Sequence, residues 1–176
     1  MPGAALRLLV SAVLGPVLLL GGLLGASLGL SGCGGGDESQ HAQRLVEHAF
    51  LDSTAEYLQN LRAMEQEIGQ MVLADTVNSV EIVPLISQRY RPLVAGLHER
   101  VLALDTTAVV APVRKAFADY LALRVAAYDA AIAGLAEDRP ELYDQFSRMQ
   151  VEVDRLGRSL DRQIKEVRAQ VPEYRR

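Results

Sequence analysis

From about residue 40 to residue 171, apolar side chains recur at steps of three and four, and this period limits the fold more than any other feature of the chain. The cleanest run is Phe146, Met149, Val153, Leu156, Leu160, Ile164 and Val167. Residues so spaced share one face of an α-helix, and that face leaves water only by meeting another apolar face. No run of alternating β-branched residues competes, so an all-α fold is expected.

Four stretches carry the pattern. A first helix is predicted from about Gln40 to Ala74 on Val46, Phe50, Tyr57, Leu61, Met64, Ile68 and Met71, with Ser53 filling one slot. Residues 75–79 turn the chain, with Asn78 or Ser79 as a cap and Pro84 in the first turn of a second helix. That helix uses Ile86, Tyr90, Leu93, Leu97 and Leu104. Pro92 should kink it or delay its regular start, because an interior proline loses a hydrogen bond and clashes with the preceding turn. Asp105-Thr106-Thr107 ends it, and a third helix on Phe117, Leu121, Tyr128, Ala131 and Leu135 is under way by Pro112. Asp138-Arg139-Pro140-Glu141 combines a cap, a first-turn proline and a glutamate, and opens a fourth helix that stops near Val171-Pro172. Long amphipathic helices joined by short loops pack as an antiparallel up-down-up-down four-helix bundle. An elongated three-helix bundle, with the second helix broken at Pro92, is the alternative.

Two arginines interrupt these stripes. Arg124 stands in the third-helix seam between Leu121 and Tyr128, and Arg100 stands in the second between Leu97 and Leu104. A charge in a core must pair with a carboxylate, reach solvent along its stem, or meet a ligand. The first two are structural roles. The third would make Arg124, with Tyr90 and Tyr128, a site for a small anion, because a guanidinium fork holds an anion and phenols orient it. Whether Arg124 faces a carboxylate or a cavity separates these readings.

The N-terminal segment speaks to location. Arg7 is its only charge, Leu8 to Leu30 is almost wholly apolar, and Leu30-Ser31-Gly32-Cys33 follows with the only cysteine. This order resembles the lipobox signal of bacterial lipoproteins. The resemblance implies cleavage before Cys33 and transfer of a diacylglycerol and further acyl chains (palmitate among them) to that residue. It also implies a membrane-anchored protein of the cell envelope, held on the extracytoplasmic side. In a Gram-negative envelope, Gly34 rather than aspartate after the cysteine favours the outer membrane. Domains then divide as signal peptide 1–32, flexible tether 33–39 and helical domain 40–176. An uncleaved membrane anchor is the competing reading of the apolar run, and it places the rest of the chain on the same side.

No catalytic or cofactor signature stands out. There is no G-x-S-x-G elbow, no phosphate-binding glycine loop and no H-E-x-x-H. His41, His48 and Asp52 share a helix face, but one turned away from the apolar stripe, so a solvated face is the simpler reading than a metal site. With a formal net charge of −4 and interspersed signs, no basic patch for nucleic acid is evident. The expectation is a non-enzymatic helical interaction or scaffold module with no cofactor. Its partners would be the membrane, through lipid on Cys33, and an envelope protein, with a homodimer also open. The alternative is a ligand-binding bundle for a small anion or metal.

Overall fold

The structure is a computed structural model that describes residues 37–73 and 79–171. The segment expected to be a signal peptide, the lipobox-like Leu30, Ser31, Gly32 and Cys33, most of the expected tether and the expected Asn78 cap lie outside the described residues. Among the described residues the fold is all-α, with four helices. Helix α1 is Asp37–Leu73, and at about 1.5 Å per residue it is roughly 55 Å long. Helix α2 covers 79–102 as three joined segments, Ser79–Leu85, a π-helical turn Ile86–Tyr90, and Arg91–Leu102. Helices α3 and α4 are Ala111–Glu137 and Pro140–Gln170. Among the described residues no helix is long and apolar enough to cross a membrane.

Contacts between successive helices run in opposite chain directions. Glu67 of α1 meets Arg89 while Glu47 meets Thr107. Arg91 of α2 meets Asp129 while the Leu104 carbonyl accepts from Arg114. The turn from α3 to α4 is two residues long. Asp138, at φ 49° and ψ 47°, ends α3 in the left-handed region, where its short polar side chain is tolerated. The sequence reading made Asp138 the cap of α4. The residue before that helix is instead the extended Arg139, with Pro140 in the first turn. Arg139 ion-pairs on both sides, with Glu137 and Glu141.

Helix α2 departs most from expectation. The chain stays helical through Pro92, so the break that the three-helix alternative needs is absent, but the regular segment starts only at Arg91, after the π turn, as a delayed start requires. The π turn absorbs the proline: the Arg91 N–H reaches back five residues to the Ile86 carbonyl. Widening the turn relieves the clash between the proline ring and the preceding carbonyls. It also changes which side chains face inward. Ile82, Ile86, Tyr90 and Val94 are buried at three successive steps of four, followed by Leu97 and Val101. In a regular α-helix three such steps would drift by about 120°; one extra residue in a turn cancels most of it. Leu93 and Arg100, both expected on the inward seam, therefore turn outward and are exposed. Pro84 is also corrected, since it lies in the second turn of the Ser79–Leu85 segment rather than the first.

Helix α3 is buried on more than one face. Beside the expected seam of Phe117, Leu121, Arg124, Tyr128 and Ala131, a second row of Val113, Tyr120, Ala127 and Gly134 is buried. Small residues on α3 and Gly157 on α4 let those two backbones come close. A Cβ at Gly157 would sit 3.4 Å from Cε2 of Tyr120. In α4 the predicted stripe is the packed one, with Phe146, Val153, Leu160 and Val167 fully buried. In α1, Thr54 and Glu47 are buried beside Phe50, Leu51, Leu61, Met64 and Ile68, while Ser53 is only half-buried. Polar residues in inward slots are invisible to a reading that tracks apolar ones.

Candidate functional site

Two polar constellations lie at the faces of α1. The first is centred on Arg124, which is 6% exposed. Its Nη2 lies 2.5 Å from Oε1 of Glu65 on α1, and its Nη1 donates to the Tyr120 hydroxyl at 2.8 Å. The guanidinium also stands 5.7 Å from the ring centre of Tyr120 and 6.0 Å from that of Tyr128. Tyr120, Arg124 and Tyr128 are spaced four apart on one helix face, so α3 alone arranges the aromatic clasp. Burial alone would pull the arginine's pKa down. The two phenols and the Glu65 carboxylate outweigh it, and the group is held above its ordinary value. Burial pushes the Tyr120 phenol up to about 12 against the opposing pull of Arg124, and raises Tyr128 as well. Arg124 thus faces a carboxylate, and the cluster ties α3 to α1 as an ion pair with aromatic walls. Its Nε is buried without a hydrogen-bond partner.

The second constellation is a half-open groove of about 440 Å³ between α1 and α2. Met64 and Glu67 of α1 line it with Arg89, Tyr90, Leu93 and Arg100 of α2. The π turn places Tyr90 in its wall, buried to 1% exposure, with a hydroxyl that lies beside the Glu67 carboxylate but makes no hydrogen bond of full geometry. Burial, then the Glu67 carboxylate, pushes this phenol up to about 12, so it stays protonated at neutral pH. Arg89 is closed by Glu67 at 2.8 and 3.0 Å, and its guanidinium lies 5.4 Å from the centre of the Tyr90 ring. Arg100 has no ion pair among the described residues.

The four residues that sequence reasoning grouped as ligand candidates therefore separate. Tyr90 and Arg100 line the groove, whereas Arg124 and Tyr128 belong to the buried cluster. Glu65 was missed, because a partner 59 positions away on another helix leaves no local trace. Tyr120 was legible, standing four residues before Arg124 as Tyr128 stands four after it. Arg89, Glu67 and Gly96 were missed because the groove exists only once α1 and α2 are side by side. Among the described residues, no group of three or more His, Cys, Asp or Glu side chains is placed to hold a metal ion.

No protein-family model matches the chain, and neither a curated protein nor a solved structure does.

Proposed function

We propose that the chain is a lipid-anchored extracytoplasmic module with no catalytic role, whose helical domain docks an envelope protein near the membrane surface. The supporting observation is a set of exposed apolar side chains near one end of the bundle. Leu45, Leu102 and Val109 are all exposed, and the Thr107–Glu47 hydrogen bond brings the α2–α3 loop beside the start of α1. An exposed apolar cluster is a common mark of an interaction surface. The chain enters α1 at this same end, directly after the tether. Four residues from Cys33 to Asp37 reach about 14 Å at most, and α1 rises about 12 Å more to Leu45. A lipid on Cys33 would thus hold the patch within roughly 25 Å of the bilayer, with the outer membrane favoured in a Gram-negative envelope.

The test has two parts in cells of the source type. Metabolic labelling with an alkyne palmitate should mark the wild-type chain and not Cys33→Ala, which should also leave the membrane fraction. Photo-crosslinkers at Leu102 and Val109 should trap one protein species that a crosslinker at Glu152 does not. An unlabelled wild-type chain overturns the anchor. Capture of a second copy alone replaces the envelope partner by a homodimer, and identical patterns from all three positions remove the patch as the docking surface.

A second reading, that the bundle binds a small anion, is favoured by the groove and by Tyr90 and Arg100 in its walls.

A further inference from the structure

The groove between α1 and α2 contains three features that the packing of the protein does not account for. The first is Gly96, which lines it inside the regular segment Arg91–Leu102. Glycine weakens a helix interior, so it is usually kept there where a neighbour needs the space. Gly157 has such a neighbour in Tyr120; at Gly96 a Cβ would meet nothing within 4 Å. No part of the described chain uses the space that Gly96 leaves open. The second is the Tyr90 hydroxyl, buried in the wall beside a Glu67 carboxylate that Arg89 already engages, so that it makes no hydrogen bond of full geometry. Buried donors in native proteins are nearly always satisfied, and an exception calls for an explanation. The third is the charge. Arg89 and Arg100 line the groove against the single carboxylate of Glu67, which Arg89 already engages. One guanidinium is left over, beside an apolar surface of Met64, Leu97 and the 42% exposed Leu93.

We propose that this groove binds a small amphipathic monocarboxylate, its carboxylate on the Arg100 guanidinium and its apolar body over Met64, Leu93 and Leu97 in the space beside Gly96. The volume of about 440 Å³ falls in the range of small-molecule sites, roughly 300–1,000 Å³. Guanidinium groups recognise carboxylate and phosphate alike. Here the surplus is one positive charge, and Glu67 repels a dianion, so a monoanion is the better match. This site is separate from the end patch at Leu45, Leu102 and Val109, and it stands whether or not Cys33 is lipidated.

The test uses the full chain in phosphatidylcholine nanodiscs, with 3-phenylpropionate as probe and calorimetry and ligand-observed NMR as readouts. Saturable binding is expected, at least tenfold weaker for the corresponding carboxamide and at least tenfold weaker for Arg100→Gln. Gly96→Leu should fill the groove and abolish binding while leaving Tm unchanged or higher, since leucine is the better helix former. The proposal is overturned by an absence of saturable binding up to roughly 1 mM probe, by equal binding of acid and amide, or by tighter binding of inorganic phosphate. Binding that persists unchanged in Arg100→Gln overturns it too. Arg100 is exposed, so that variant decides the matter even if Gly96→Leu proves destabilising.

Discussion

The contact between α3 and α4 is made of small and apolar side chains, whereas α1 adds to its buried Phe50, Leu61, Met64 and Ile68 a set of polar links to the other helices, one of them a buried ion pair. In the first region Gly157, Tyr120 and the alanines of α3 bring two backbones close, and a two-residue turn joins them. In the second, Arg62–Asp161, Glu65–Arg124, Glu67–Arg89 and Glu47–Thr107 connect α1 to α4, α3, α2 and the α2–α3 loop in turn. Apolar burial is non-directional and says little about register. A buried ion pair is directional, and its worth lies more in the penalty for breaking it than in the net energy of making it. The two regions therefore divide the work. One supplies burial at a hairpin whose register the turn already sets, and the other fixes where a long helix stops sliding.

Mutations can break or sharpen this contrast. Phe117→Ala in the fully buried seam of α3 should lose about 4 kcal/mol in urea unfolding, the usual cost of an aromatic cavity. A loss below about 1 kcal/mol would mean that α3 is not the apolar centre of the molecule. Glu65→Leu should cost about 3 kcal/mol by stranding the buried Arg124, and adding Arg124→Met should restore most of it. If the double variant is no better than the single one, the seat of α1 does not depend on that charge.

Alkaline unfolding probes the same cluster. The Tyr120 phenol, raised by burial to about 12 in the folded chain, ionises near 10 once unfolded, so the unfolded state loses its proton first. Its contribution is fully present below pH 10 and is lost as pH rises towards 12, roughly 2 kcal/mol over that window. Tyr120→Phe should flatten that part of a stability–pH curve, and an unchanged curve would assign the loss to other groups. Tyr90, also raised to about 12, acts in the same direction.

Smaller effects are expected from single polar atoms. Thr54 is fully buried on α1 with no partner for its hydroxyl, so Thr54→Val should gain about 1 kcal/mol in thermal or urea unfolding. A loss instead would reveal a hydrogen bond that the hydroxyl makes in solution. Arg91→Ala removes an exposed pair with Asp129 at 2.8 and 3.2 Å and should cost no more than about 1 kcal/mol, an effect that salt erases. A larger, salt-insensitive loss would show that charge anchors α2 to α3 as it anchors α1.

How much was legible from the sequence varies by helix. The α4 stripe from Phe146 to Val167 and the Arg124 position on α3 were readable, because each needs only the pitch of one helix. Helix α2 was misread at Leu93 and Arg100, though not at Leu97, for the same reason: a constant pitch was assumed, and the π turn before Pro92 changed it. Glu47 and Thr54 escaped notice because their inward slots look like surface residues in a pattern of apolar steps.

The sequence by itself determined that long amphipathic helices run from about residue 40 to residue 171, and that an arginine stands inside the α3 seam. These are local properties, set by spacing along one backbone. Tertiary structure alone decided that Arg124 meets Glu65, that Arg100 lines a groove while Tyr90 is buried in its wall, and that polar links join α1 to each of the other helices. Those outcomes depend on which helix lies beside which, and at what register, and no spacing within a single helix encodes the distance to a residue on another.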